Sequence, residues 1–187
     1  MKKYILLFLL LASLSPLYSQ KKRDRARANI VMLKEGALLV RLRTSELQIA
    51  GLKKMGKTEE AEKLQKEQDE QNKSIMLAFK EHYKFSKVYF FYSNNSALVT
   101  AGKLDGILFD ADMNLYGKFS SNKFLVGEFD KSETTALDAF IIKDKNFDQL
   151  KAPFPYLTRL NQAFVSTRSN DQLVKVLDEK LHEFYGK

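Results

Sequence analysis

The chain has 187 residues, with 31 Lys plus Arg against 23 Asp plus Glu, no Cys and two His. Without cysteine there is no disulfide framework, thiolate zinc site, cysteine nucleophile or lipid-modified cysteine, and His82 and His182 alone cannot build a three-histidine metal centre. Several site chemistries are thereby closed before any motif is sought.

Lys2 and Lys3 precede an apolar run from Tyr4 to Leu14, which gives way to Ser15-Pro16-Leu17-Tyr18-Ser19. This is the layout of a secretory signal peptide over residues 1–19, with cleavage expected after Ser19. A membrane-spanning anchor needs about 20 apolar residues, and Tyr4 to Ser19 is shorter and partly polar. The protein is therefore expected to be exported to the periplasm or the exterior, with no transmembrane segment in the mature chain. Loss of Lys2 and Lys3 leaves 29 basic against 23 acidic residues, and much of that excess lies in Lys21, Lys22, Arg23, Arg25 and Arg27. From Ala28 onward the count is 24 against 22, so the fold is nearly neutral and lacks the basic face that nucleic-acid binding requires. Residues 20–28 are expected to form a flexible basic segment able to touch an anionic surface or a partner.

Residues 29–187 are expected to form one α+β domain. Asn29–Leu33 and Ala37–Arg43 flank Lys34-Glu35-Gly36 and suggest a hairpin of two short strands, with a single helix as the competing reading because short apolar runs are ambiguous. Ser45 with Gln48 fits a capping box for a helix through Met55, Gly56 supplies a left-handed stop, and Thr58 caps a long polar helix to about Tyr83. These elements make a helical arm over residues 44–84, whose sparse apolar stripe before residue 73 leaves its first half facing solvent or a partner. In the part spanning 85–187, Val88–Tyr92, Gly106–Phe109, Lys123–Phe129 and Ala139–Lys143 read as strands. Asn94–Ser96 opens a short helix closed by Gly102, and Pro153-Phe154-Pro155-Tyr156 marks an extended edge or loop. Ser169 and Gln172 cap a final helix with Leu173, Leu177, Leu181 and Phe184 on one face. The sum is a short hairpin and a helical hairpin, then a mostly antiparallel or mixed sheet of about four to five strands, packed by the C-terminal helix.

Gly51-Leu-Lys-Lys-Met-Gly56-Lys57-Thr58 satisfies the spacing of a nucleotide phosphate loop. Its middle consists of good helix formers, and Glu59 and Glu60 would repel an anion at the following helix terminus, so a helix-to-helix corner is the better reading. Ile107-Leu-Phe-Asp110-Ala-Asp112-Met-Asn114 delivers two carboxylates and an amide at alternate positions after an apolar strand. These residues resemble the nucleophile motif of haloacid-dehalogenase-like phosphatases, and Asp144 and Asp148 imitate that family's later acidic pair. The resemblance implies that Asp110 attacks phosphorus, that Asp112 handles the proton, and that both help place magnesium. Met113-Asn114 replaces the family's Gly-Thr, and the chain between Asp110 and Asp144 is too short for βαβ units of about 30 residues each. Asp110, Asp112 and Asn114 are also the metal candidates, as oxygen ligands for Ca or Mg, though the glycine and glutamate of a calcium loop are replaced by Leu115 and Ser121. No other cofactor is implied. His182-Glu183 begins a zinc-protease pattern that fails at Gly186, and His82 reads as a helix-terminal cation.

The residues thus favour an exported, non-catalytic envelope protein that binds a macromolecular partner, with Lys21, Lys22, Arg23, Phe154 and Tyr156 as contact candidates. The alternative is a small divalent-metal-dependent phosphoester hydrolase centred on Asp110 and Asp112, and a third reading is a small-ligand binder using the sheet and residues 153–156.

Overall fold

A computed structural model describes residues 20–119, 121–133, 135–161 and 166–187. The expected signal peptide lies outside the described residues. Among the described residues five helices surround one seven-stranded mixed sheet, larger than the sequence suggests. In chain order they are helix α1 (residues 20–35), β1 (Ala37–Leu42), α2 (Glu46–Lys54), α3 (Thr58–His82), β2 (Lys87–Tyr92), α4 (Ser96–Thr100) and β3 (Leu108–Phe109). There follow β4 (Leu115–Tyr116), β5 (Phe124–Lys131), β6 (Asp138–Lys143), β7 (Leu157–Arg159) and α5 (Asn170–Tyr185). None of the described helices is long and apolar enough to cross a membrane.

The sheet order is β4-β3-β2-β1-β5-β6-β7. The central strands β2, β1 and β5 run parallel, and the outer pairings are antiparallel. Strand β1 explains this centre, because Ala-Leu-Leu-Val is apolar at every position and is buried on both faces. Such runs belong to covered parallel sheets, whereas alternation marks a sheet with one wet face. Leu38, Val40 and Leu42 enter the larger core with Ile30 and Leu33 of α1, Phe79 of α3, and Leu173, Leu177 and Leu181 of α5. Ala37 and Leu39 enter a smaller core on the opposite face, with Phe91, Val99 of α4, Leu108, Phe124 and Val126.

Two expectations for the start of the domain are corrected. Residues 20–28 form the first described turns of α1, and residues 29–35 continue that helix, where a flexible segment and a first strand were expected. Ala26, Ile30 and Leu33 recur at helical spacing and are buried, while Val31 between them is 40% exposed, which a helix accommodates. Arg27 is also in structural use, its Nη1 donating to the carbonyls of Phe184 and Tyr185 at 3.1 and 3.2 Å and so closing the end of α5. Gly36 is no hairpin turn. It joins α1 to β1 at a point where an added Cβ would lie 1.9 Å from the Lys123 carbonyl oxygen.

The helix corner at 55–57 forms, with Gly56 at φ 73°. The caps around it differ from expectation: Ser45 adopts φ 52° and its hydroxyl donates to Gln68 Oε1 at 2.8 Å, while Thr58 is the first helical residue and Lys57 holds the cap position. The box at Ser169 and Gln172 is present in both directions, at 3.3 and 3.2 Å. The first half of α3 packs on α2 through buried Ala61 and Ile49, and α5 packs against α3.

The close contact at Gly36 generates a prediction. Gly36→Ala pushes a methyl group into rigid backbone at the junction of α1, β1 and β5, and a loss of roughly 1 to 3 kcal/mol is expected in urea unfolding.

Candidate functional site

Ligand sites of sheets with parallel strands lie outside the strands' carboxyl ends, and the most unusual chemistry of this molecule lies there. Arg41 near the end of β1, Glu128 on β5 and Lys143 at the end of β6 occupy positions that alternate with buried apolar neighbours on the smaller-core face. The Glu128 side chain is 6% exposed and accepts from both cations, Oε2 from Arg41 Nη1 and Oε1 from Lys143 Nζ, each at 2.5 Å. Asp130 Oδ2 stands 3.5 Å from the same ammonium. Arg41 is fixed further by donating Nε–H to Ser96 Oγ at 2.9 Å, and its guanidinium lies 5.8 Å from the Phe147 ring centre. Burial pulls the Lys143 ammonium down, but hydrogen bonding and attraction to Glu128, with help from Asp130, outweigh it and hold the group above the ordinary lysine value.

Above this cluster opens a cleft of about 250 Å³ between α3 and the ends of β5 and β6. Arg43, Gln68, Gln71, Asn72, Asp130 and Asp138 line it together with the cluster's outer atoms. Arg43 Nη2 donates to the Phe129 carbonyl at 2.8 Å, and Asn72 Nδ2 donates to the Arg43 carbonyl at 2.8 Å. Gln68 bridges onward to Asn72 Oδ1 at 3.2 Å. The wall is thus built from interlocked amides, while Gln71 is exposed on α3. Among the described residues no histidine, serine or threonine lines the cleft, and its polar groups are the carboxylates of Glu128, Asp130 and Asp138 set among guanidinium and amide side chains.

Asp110, Asp112 and Asn114 are brought together, but as a self-satisfied turn between β3 and β4. Asp110 Oδ1 accepts the amides of Asp112 and Asn114 at 2.8 and 3.0 Å, and Oδ2 accepts Asn114 Nδ2 at 3.0 Å. Asp112 pairs with Lys80 of α3 at 2.5 Å. Both Asp110 oxygens are thus engaged within the loop and one Asp112 oxygen is held by Lys80, and the Asp110 arrangement is how aspartate builds turns. Asp144 repeats the device, its Oδ1 accepting the amides of Asn146 and Asp148 at 2.8 and 3.0 Å. The residues of the phosphate-loop pattern fall in α2 and its corner, which confirms the corner reading.

Lys21, Lys22 and Arg23 are exposed on α1. Phe154 is 2% exposed and packs on Phe184, so it is unavailable to a partner, whereas Tyr156 is half-buried beside it. His82 sits at the seam of α3 and α5, with Nε2 3.6 Å from Glu81 Oε2 and 3.7 Å from Asp171 Oδ1. These are the one group of described residues whose ligand atoms are gathered closely enough for a metal. Both carboxylates are exposed, and the arrangement equally suits a side-chain contact between the end of α3 and the acidic first turn of α5.

Arg41, Arg43, Glu128 and Lys143 were not singled out by the sequence. For Arg41, Glu128 and Lys143 the signal was a charged residue in step with buried apolar ones inside a strand, whereas Arg43 follows β1. No protein-family model, curated protein or solved structure matches the chain.

Two outcomes are expected. Glu128→Gln leaves two cations facing each other in a nearly dry site, which should cost about 3 kcal/mol in chemical denaturation. Hydrogen bonds from the Asn114 side chain and from the turn's amides hold the Asp110 carboxyl below its ordinary 3.8. The turn's contribution is therefore complete above that pH and disappears as pH falls through the lower folded value. An Asn114 amide signal followed by NMR should titrate with a midpoint below 3.8, and a midpoint above it would contradict this assignment.

Proposed function

We propose that this is an exported, non-catalytic protein of the cell envelope that holds a macromolecular partner at the cleft between α3 and the carboxyl ends of β1 and β5. The observation that carries the reading is the cleft itself: the ion-paired Arg41 and Glu128 lie at its floor, interlocked amides form its wall, and among the described residues no histidine, serine or threonine lines it. Buried charges held in fixed geometry favour selectivity for a complementary surface over raw affinity. Arg43, exposed at the rim, offers the planar donor fork that recognises carboxylates and backbone carbonyls. The charge pattern of residues 1–19 supports export, and the commitments of Asp110 and Asp112 weigh against hydrolysis.

A photoreactive residue placed at Gln71 in the full-length protein should give one reproducible adduct in native envelope fractions. Arg43→Ala should reduce its yield by about tenfold, corresponding to a rim contact of roughly 1.4 kcal/mol, at unchanged melting temperature. Recovery of a free monomer alone, or of an adduct indifferent to Arg43, contradicts the proposal.

A further inference from the structure

Strand β7 is the outer edge of the sheet on the α5 side. The Ile142 amide bonds the Tyr156 carbonyl and the Leu160 amide bonds the Asp138 carbonyl, so residues 156, 158 and 160 turn their backbone toward β6. The carbonyls of Leu157 and Arg159 consequently face outward. Each is covered by a cation: Lys180 Nζ of α5 donates to Leu157 O at 3.0 Å, and Arg168 Nη1 donates to Arg159 O at 2.7 Å. Two residues of strand separate these carbonyls by about 7 Å, which sets the two covering cations next to each other along the edge. Arg168 is held in place by its own amide, which bonds Leu160 O at 2.8 Å, and Arg159 adds an exposed third cation, on β7 itself.

Among the described residues no carboxylate lies within 4.0 Å of any of the three cations. The sequence from Gln149 to Asn170 contains no Asp or Glu, so the chain between Arg159 and Arg168 carries none. Of the nearby acids, Glu183 is paired with Lys187 at 2.6 Å, and Asp138 lines the neighbouring cleft. Lys180 is partly buried, and that burial, followed by repulsion from Arg168 and Arg159, draws its ammonium below the ordinary lysine value. A carbonyl dipole satisfies one donor of each cation and leaves its charge uncompensated. An ammonium has three donors and a guanidinium five, so both retain donors for a second acceptor.

We propose that Lys180, Arg168 and Arg159 form a binding site for a phosphate-class anion along the outer edge of β7, whether as free phosphate or as a lipid head group. The site is separate from the partner cleft and stands whether or not that reading holds. Arginine and lysine together supply the charge-assisted bonds by which phosphoryl oxygens are held.

The full-length protein is titrated with inorganic phosphate against chloride at matched ionic strength, with thermal unfolding and calorimetry as readouts. A rise in melting temperature specific to phosphate is expected. Lys180→Met keeps the buried stem, and Arg159→Gln changes an exposed side chain. Each should weaken phosphate binding by about tenfold, with Arg159→Gln leaving the melting temperature in chloride unchanged. Co-flotation with phosphatidic acid vesicles, compared with pure phosphatidylcholine vesicles, separates the sources: binding lost in both variants without a response to free phosphate assigns the head group. Responses to phosphate and vesicles that equal the chloride and phosphatidylcholine controls, or that survive in both variants, overturn the proposal.

Discussion

Leu38, Val40 and Leu42 leave β1 on one side and Ala37 and Leu39 on the other, and all five are shielded from water. A strand in that position needs hydrogen-bonded neighbours on both edges and cover on both faces, since unpaired buried backbone groups are costly. The parallel partners β2 and β5 meet the first need. Helices α1, α3 and α5 meet the second on one side, and α4 with the loops around Leu104 and Phe147 meets it on the other. The close approach at Gly36 is part of the same constraint, because β1 must enter the sheet directly against the Lys123 carbonyl. The basic start of α1 is folded for this reason too: its apolar face is needed over β1.

Arg41 is the charged residue of β1, and its position compels the ion cluster. A guanidinium 30% exposed at the end of a doubly covered strand requires a carboxylate, which Glu128 provides from the adjacent parallel strand. Glu128 is then so enclosed that the Lys143 ammonium on the next strand completes its coordination. Replacing such a cluster by apolar residues often costs a fold nothing, so its presence bears on specificity more than on stability. The cleft inherits that character, with fixed charge below and amides at the side.

The acidic turn at 110–114 illustrates how one residue pattern serves two chemistries. Aspartates on alternate positions after an apolar strand suit a phosphotransfer nucleophile and equally suit a turn in which the carboxylate replaces missing backbone acceptors. The direction of the oxygens separates the two. Asp110 turns its oxygens back onto its own loop, and Asp112 is drawn to Lys80 on a helix far away in the chain. Asp144 shows the inward arrangement again, which fits its reading as a recurrent turn device.

Elements whose stability is local were legible in the residues: the α2–α3 corner with Gly56, the long polar α3, the box at Ser169 and Gln172, and the apolar face of α5 all rest on interactions within a few positions. The α+β class followed from them. Strand order, the parallel centre and the size of the sheet did not, because Ala37–Leu42 finds its partners at residues 87–92 and 124–128, and nothing near it in the chain announces them. The segment 29–35 is ambiguous by composition and becomes helical only because the face bearing Ile30 and Leu33 has β1 and α5 to cover. The cleft and the β7 edge are tertiary in the same sense, since charges distant in the chain become a site only when the sheet sets Arg41 beside Glu128 and α5 lays Lys180 along Leu157.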